Sequence, residues 1–272
     1  MINRKKKTVC GLAFLLAACM VFSACSEEPE NADNGKKERV HKPSVPSIGV
    51  TRIMPEVHEP KAFTVMIDPG HGYTDGGTGD GILPDGLLEK DITLAIAKKL
   101  NEDLTEYGFQ VMMTHDGEIF PRSSNGNGNS YQDDGNDIYN IYERSKYANT
   151  LDIDYFISIH VNSHTNAEAQ GVRTYYIQNW RKNDETSKPL TQYVTDSVRE
   201  TFPMSPTPVM HNDSKYIVLT DTNAAATLVE IGFCTNPTDA ANMIQPEWQE
   251  QMAQAMADGI HQYYTDNIEI PS

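Results

Sequence analysis

The sequence predicts a single α/β domain in which helices flank both faces of a mostly parallel, twisted sheet of about six strands. Two observations support this fold class. Short apolar segments typical of buried strands alternate along the chain with longer segments of helical periodicity, as expected when helices cover a parallel sheet. Hydrophobic residues also make up 39% of the 272 residues, which is sufficient for one sizeable core.

The charge balance restricts the class of partner. Lys and Arg number 22 and Asp and Glu number 38, so the formal net charge is −16. Proteins bind nucleic acids mainly by neutralising phosphates with cationic side chains. We therefore expect no nucleic-acid partner.

Residues 1–24 have the pattern of a bacterial export signal. Basic residues at 4–7 precede an apolar run of 16 residues that ends at Ala24, which is shorter than the roughly 20 needed to span a bilayer as a helix. The sequence FSAC at 22–25 resembles the lipobox of bacterial lipoproteins, in which the cysteine, here Cys25, carries a lipid. An ordinary signal, in which Cys25 is incidental, is the alternative.

Residues 25–60 are predicted to form a flexible tether between the lipidated cysteine and a folded domain at 61–272. Five prolines, mixed charges and no periodicity leave this segment too little apolar surface to offset the entropy of ordering it. Removal of residues 1–24 takes away four basic groups, so the mature charge would be 18 − 38 = −20. Of the two cysteines then remaining, Cys25 and Cys234, the second is expected to be a buried apolar residue.

The first part of the domain is predicted to be strand, helix, strand. Residues 63–67 form a short apolar segment that runs into Asp-Pro-Gly, which predicts a buried strand. Apolar side chains repeat at helical spacing over 94–104 and predict a helix that ends before Gly108. The apolar residues at 109–114 predict the second strand.

The alternation is interrupted once and then continues to the C-terminus. Residues 123–136, SSNGNGNSYQDDGN, are expected to be a solvated insertion, with a substrate-contacting lid as the alternative. Further helices are predicted at 138–150, 184–202 and 247–264, and further strands at 155–161, 172–177, 217–219 and 227–233.

Two histidines directly follow or close predicted buried strands. In VMIDPGHG, His71 comes after a strand and is flanked by glycines, and in FISIHVN, His160 closes another strand. Ligands of open α/β sheets bind at the carboxyl ends of the strands. Each histidine alone is more often a turn or core residue, but two at separate strand ends indicate a shared site.

Glu89 stands at the start of the first long helix, in GLLEKD. A structural role is the simpler interpretation, because an acidic side chain in the first turn stabilises the helix dipole by about 0.3 to 1 kcal/mol. Combined with His71 and His160, however, Glu89 would complete a set of two histidines and one glutamate. This combination is typical of catalytic zinc, whose fourth position is left to water.

Glu230 interrupts a strand that is otherwise apolar, in TLVEIGF. A buried charge without a partner costs several kcal/mol or forces the group to take up a proton. A buried ion pair or a hydrogen bond to the backbone would be the structural explanation. The functional explanation is a general base beside a metal ion, with a pKa raised by burial and lowered by the cation.

Together these motifs resemble the zinc-dependent N-acetylmuramoyl-L-alanine amidases of bacteria, in their type-3 catalytic domain. The matching segments cover residues 63–264 and are, in order, VMIDPGHG, LLEKDITLAIAKKL, FISIHVNS, GVRTYY and TLVEIGFCTNP. The resemblance implies that His71, Glu89 and His160 bind Zn²⁺ and that Glu230 is catalytic. It also implies hydrolysis of the amide between the lactyl group of N-acetylmuramic acid and L-Ala in peptidoglycan.

The resemblance and the N-terminal pattern imply an exported peptidoglycan hydrolase, held by its lipid on the outer face of the cytoplasmic membrane and facing the cell wall. The sequence does not identify a protein activator. The alternatives are another zinc hydrolase of the wall, such as a peptidase or deacetylase, and a non-catalytic, lipid-tethered protein that binds the wall. Four further histidines lack a motif and are expected at the surface or in loops: His115, His164, His211 and His261.

Overall fold

A computed structural model describes most of the region downstream of the predicted tether. The described residues are 62–72, 75–78, 83–117, 141–177, 184–211 and 216–268. The predicted signal, the tether and the insertion at 123–136 lie outside them. Within the described residues, no helix is both long enough and apolar enough to cross a membrane.

A six-stranded sheet forms the centre of the described region. Its strands are β1 (Thr64–Pro69), β2 (Gln110–Met113), β3 (Tyr155–Asn162), β4 (Val172–Tyr176), β5 (Met204–His211) and β6 (Ala225–Phe233). Their order across the sheet is β2-β1-β3-β6-β4-β5. Every neighbouring pair is parallel except β4 with β6, which is antiparallel. The start of β4 therefore lies at the same edge of the sheet as the carboxyl end of β6.

Helices cover both faces of this sheet, which confirms the predicted fold class. They are α1 (Glu89–Glu106), α2 (Ile141–Asn149), α3 (Asp184–Thr201), α4 (Ile217–Thr220), α5 (Pro237–Met243) and α6 (Pro246–Asn267). In α1, Ile92, Ile96 and Leu100 recur every four residues and are buried, so one stripe of the helix packs on the sheet. The Asp91 side chain accepts the Leu88 N–H at 3.0 Å and caps the start of α1.

Two hydrophobic cores of unequal size lie on the two faces. The larger core joins one face to α1, α3 and α6, and its members include Val65, Ile67, Ile157, Val229, Leu100, Val194 and Met256. The smaller core joins the other face to α2 and α4, and its members include Met66, Phe156, Leu228, Ala148, Val218 and Leu219. Because side chains alternate along strands, His160 and Glu230 lie on this second face, beyond Phe156 and Leu228. The smaller core thus borders the candidate site.

The structure corrects one element prediction and adds a strand and a short α-helix that were not predicted. The predicted strand at 217–219 is wrong, because Ile217–Thr220 forms one helical turn that buries Val218 and Leu219 over the second face. The strand that completes the six-stranded sheet is instead β5, Met204–His211, which pairs in parallel with β4 at the edge of the sheet. His211, expected in a loop, is the last residue of this strand. The short helix α5 was also not predicted.

Candidate active site

Three of the predicted site residues converge at the carboxyl edge of the sheet. His71 follows β1, Glu89 is the first residue of α1, and His160 belongs to β3. Potential ligand atoms of these three side chains all lie within 4.8 Å of one another. Residues that are 18 and 71 positions apart in the sequence are thus brought to one point because β1 and β3 are adjacent and parallel and α1 starts beside them.

His71 has an unusual backbone conformation, with a φ of 64° that non-glycine residues adopt rarely. Two contacts hold it there. The His71 ring Nδ1 lies 2.7 Å from Asp75 Oδ2, and the Arg144 guanidinium donates to the His71 carbonyl oxygen. Metal-binding histidines commonly bond their other ring nitrogen to a carboxylate in this way. The Asp75 contact leaves Nε2 of His71 facing Glu89, at 3.3 Å from Oε1.

Glu89 is only 1% exposed although it carries a charge. Its Oε1 lies 3.0 Å from His160 Nδ1 and accepts the Val161 N–H at 2.8 Å. Its Oε2 accepts the Thr78 N–H at 2.6 Å. Burial alone would raise the pKa of Glu89, but its hydrogen bonds with His160 and His71 and their charge lower it to about 2. This carboxylate is therefore ionised and oriented.

The donor set fits a zinc ion. Two imidazole nitrogens and one carboxylate oxygen converge, which is a ligand combination found at catalytic zinc sites. Burial alone would lower the pKa of His71, but hydrogen bonds to Asp75 and Glu89 raise it to about 10. The positive charge of protonated His71 thus balances the negative charge of the buried Glu89. A metal cation bound at this point would balance it in the same way.

Gly70 allows β1 and β3 to approach each other closely enough to bring the histidines together. A Cβ at position 70 would lie 2.5 Å from His160 Cε1, 2.6 Å from Nδ1 of the same ring and 2.6 Å from the Ile159 carbonyl oxygen. Any larger side chain would therefore displace the His160 ring. The glycine before His71 is required for space and not only for the turn.

Glu230 lies on β6 directly opposite His160 in the register of the sheet. Its side chain is buried, with 6% exposed, and Oε2 has no hydrogen-bond partner among the described residues. Burial raises the pKa of Glu230 to about 7, with the charge of Glu89 acting in the same direction and His160 opposing. A carboxyl group with this pKa can both accept and release a proton near neutral pH.

Tyr216, which the sequence did not single out, contacts Glu230. Its hydroxyl donates to Glu230 Oε1 at 3.2 Å, and its ring packs against Tyr175 with centroids 4.9 Å apart. The hydrogen bond fixes one oxygen of the carboxylate and leaves Oε2 as the oxygen free to act. No sequence signal marked Tyr216, because it precedes a segment that resembles a strand.

A buried polar network beneath His71 was also missed. Asp68 is fully buried and accepts hydrogen bonds from Thr114, Ser158 and Arg144 at 2.6 to 2.7 Å. Burial opposes its charge, but Arg144 and the two hydroxyls outweigh this and hold the pKa of Asp68 below its ordinary value. Arg144 also donates to the Pro69 carbonyl oxygen at 2.7 Å. The network therefore ties α2 to the end of β1, immediately before His71.

Among the described residues, the other histidines do not belong to the group of potential metal ligands. His115 lies in the loop after β2, as expected of a surface or loop residue, but it is buried, with 2% exposed, and its Nε2 lies 2.9 Å from the Pro69 carbonyl oxygen. His164 is exposed in the loop after β3, as expected, and His261 lies on α6 stacked against Tyr107. The side chain of His211 and the whole of Cys25 are outside the described residues. Cys234 is a free, buried cysteine, as predicted.

Proteins similar to this chain include N-acetylmuramoyl-L-alanine amidases. The family model described as N-acetylmuramoyl-L-alanine amidase matches residues 65–262. The germination-specific N-acetylmuramoyl-L-alanine amidase of Bacillus subtilis is 29% identical over 209 residues, which are 76% of this chain and 82% of that protein.

Two solved structures from Clostridium difficile share the fold. The crystal structure of its N-acetylmuramoyl-L-alanine amidase is 29% identical, with a TM-score of 0.62, and the match covers 76% of this chain and 99% of that one. The CwlD amidase, solved in complex with the GerS lipoprotein, is 27% identical, with a TM-score of 0.61 over 75% of this chain and all of that one. The family match spans more than half of the sequence, and the chain therefore belongs to the N-acetylmuramoyl-L-alanine amidase family.

Proposed function

We propose that this protein is a zinc-dependent peptidoglycan amidase, which cleaves the amide between the lactyl group of N-acetylmuramic acid and L-Ala. The observation that supports it best is the convergence of His71, Glu89 and His160, with Glu230 on the neighbouring strand. Family membership supports the amidase reaction. The donor set supports the choice of metal.

In this proposal His71 Nε2, His160 Nδ1 and Glu89 Oε1 would hold the ion. Bound Zn²⁺ would lower the pKa of a water molecule to about 7 and polarise the scissile carbonyl. The Asp75 carboxylate keeps the His71 ring in the orientation that directs Nε2 inward, since it bonds the opposite ring nitrogen. These residues therefore prepare the site before substrate arrives.

Glu230 is the general base and then the general acid. It accepts a proton from the attacking water and delivers it to the leaving amine of L-Ala, so that the products are a glycan with a free lactyl carboxylate and a stem peptide with a free amine. Burial suits Glu230 to both steps because it brings the pKa to about 7. Tyr216 holds the carboxylate in place through Oε1.

The test is digestion of a defined muropeptide by purified protein, with and without a chelator, followed by mass analysis. We expect release of the intact stem peptide with L-Ala at its amino end, loss of activity with chelator and recovery with Zn²⁺. Products cut within the peptide would indicate a peptidase, and loss of an acetyl group would indicate a deacetylase. Either product, or no product from the zinc-loaded protein, would contradict the proposal.

We also propose that the protein is exported and held at the membrane by a lipid on Cys25. The export-signal pattern, the lipobox-like sequence at 22–25 and the proline-rich segment after it support this. The acidic charge supports it too, because anionic wall polymers and phospholipids would repel the protein. We expect Cys25→Ala to move the processed protein from the membrane fraction to the soluble fraction. A processed variant that stays with membranes would refute the anchor.

A further inference from the structure

Arg173 lies beside the candidate site, on the strand next to Glu230. The two residues are directly opposite each other in the antiparallel pairing of β4 with β6. Directly opposed residues of an antiparallel pair point to the same face of the sheet. Arg173 therefore shares its face with Glu230 and, one strand further, with His160.

A hydrogen bond and a cation–π contact with neighbouring side chains hold the guanidinium of Arg173 in place. Its Nε donates to the hydroxyl of the buried Ser205 at 2.6 Å. Its Cζ lies 5.2 Å from the centroid of the Phe233 ring, which gives a cation–π contact. Phe233 is at the end of β6, at the edge of the sheet where the histidines lie. The side chain is thus oriented rather than free to move in solvent.

The charge of Arg173 is not neutralised within the described residues. Its contacts there are Ser205 and Phe233, and neither is an acid. Arg144, the other arginine close to the site, differs in this respect, because it is paired with the buried Asp68 at 2.7 Å. The two terminal nitrogens of Arg173 therefore remain available. They form the planar fork that binds a carboxylate by two parallel hydrogen bonds.

We propose that Arg173 binds a carboxylate of the substrate about one residue beyond the scissile amide, and so selects stem peptides that carry a free carboxyl group there. The inference rests on the proposed function. Neighbouring strands are about 4.8 Å apart, and one extended residue spans about 3.5 Å. A peptide that places its scissile bond near Glu230 and runs toward β4 would therefore bring its second residue near Arg173. In peptidoglycan that residue is a glutamate joined through its side chain, whose α-carboxyl is either free or amidated.

The test compares two substrates that differ only in this group. They are the muramoyl tripeptides MurNAc-L-Ala-γ-D-Glu-L-Lys and MurNAc-L-Ala-γ-D-isoGln-L-Lys, digested by the zinc-loaded full-length protein. We expect kcat/KM to favour the free acid by about 10-fold or more, because only the carboxylate forms two charge-assisted hydrogen bonds with the guanidinium. The terminal carboxylate is common to both substrates, so it cannot produce the difference.

Variants assign the preference to Arg173. We expect Arg173→Gln to bring the ratio of the two kcat/KM values close to 1, and Arg173→Lys to leave an intermediate ratio because it keeps the charge without the fork. Arg199→Gln is the matched control, since Arg199 pairs with Asp196 on α3 and should leave the ratio at its wild-type value. Zinc content and thermal melting report whether each variant is folded.

The outcomes separate this inference from the proposed function. Equal cleavage of both substrates by the wild type, or an unchanged ratio in Arg173→Gln, would overturn the role of Arg173 while leaving the amidase intact. Cleavage of neither substrate by the wild type would overturn the proposed function and, with it, this inference.

Discussion

Glu230 and Tyr216 form a hydrogen-bonded pair at the centre of the proposed catalytic role. Glu230 is buried, its pKa is raised by burial to about 7, and one of its oxygens has no partner among the described residues. Tyr216 donates a hydrogen bond that holds the other oxygen. A general base must be oriented before it can take a proton from water. Tyr216 is therefore expected to affect catalysis without touching the metal ligands.

We expect Tyr216→Phe to lower kcat about 10-fold, because one hydrogen bond to a charged group is lost while the ring contact with Tyr175 remains. Bound zinc and KM should change little. Steady-state kinetics with metal analysis would measure this. Tyr193→Phe is the control, since Tyr193 bonds Asp266 at the exposed surface between α3 and α6. A wild-type kcat for Tyr216→Phe would refute its positioning role.

At this scale, the site residues that interrupt a local sequence pattern could be predicted from the sequence. The site residues that fit their local pattern could not. Glu230 was noticeable because it is the acid in an apolar strand, and His71 because glycines flank it after a strand. Asp75, Tyr216 and Arg173 stand in segments where their residue types are ordinary. Their importance arises from contacts with residues that are distant in the sequence or on a neighbouring strand, and periodicity carries no information on such contacts.

At the scale of elements, the close approach of β1 to β3 shapes the proposed metal site. A Cβ at position 70 would overlap the His160 ring, so we expect Gly70→Ala to weaken zinc affinity at least 10-fold and to lower stability. Isothermal titration with Zn²⁺ and thermal melting would measure both. Gly76→Ala is the matched control in the same segment, because its new methyl would contact only the flexible end of Leu88, at 3.1 Å. Equal zinc affinity for Gly70→Ala and wild type would contradict this account.

The buried ion pair of Asp68 with Arg144, which joins β1 to α2, should make the free energy of unfolding depend on pH. The pKa of Asp68 is below its ordinary value of 3.8 in the folded protein, so its ionised form stabilises the fold above pH 3.8. That stabilisation declines as pH falls below 3.8 and is lost once pH passes below the folded-state pKa. Asp68→Asn removes the charge that pairs with the buried Arg144, which we expect to cost about 3 kcal/mol at pH 7.

Urea unfolding of wild type and Asp68→Asn at pH 7 and at pH 3 would measure this difference. We expect the gap between the two proteins to shrink at pH 3, which is below the ordinary pKa of 3.8, because unfolding of the wild type is then favoured by proton uptake on Asp68 in the unfolded chain. A gap of the same size at both values of pH would show that the charge of Asp68 does not stabilise the fold.

The element predictions were wrong where tertiary context overrides local propensity. Ile217–Thr220 is rich in β-branched residues, yet it forms a helical turn because that turn buries Val218 and Leu219. Met204–His211 contains two prolines, which argue against a strand, yet β5 is an edge strand. Proline lacks an N–H and is tolerated at edges, where that position can face away from the sheet. The strands and helices with strong periodicity were predicted within a few residues.

At the scale of the whole molecule, one face of the sheet holds most of the apolar packing, and the other face holds Glu230. The larger core with α1, α3 and α6 lies on the face opposite Glu230, while the site borders the smaller core under α2 and α4. A change in the polar atoms of Glu230 is therefore expected to leave the main apolar packing unchanged. This division makes it feasible to replace the proposed catalytic group and keep a folded protein with the proposed metal ligands in place.

Glu230→Gln tests the central claim most directly, because it removes the proton acceptor and keeps the shape of the side chain. Zinc content, thermal melting and muropeptide turnover should be measured on the same preparation. We predict one zinc per chain as in the wild type, a melting temperature no lower than that of the wild type because a buried charge is gone, and turnover reduced at least 100-fold. Turnover near the wild-type rate in a zinc-loaded Glu230→Gln protein would contradict the assignment of Glu230 as the general base.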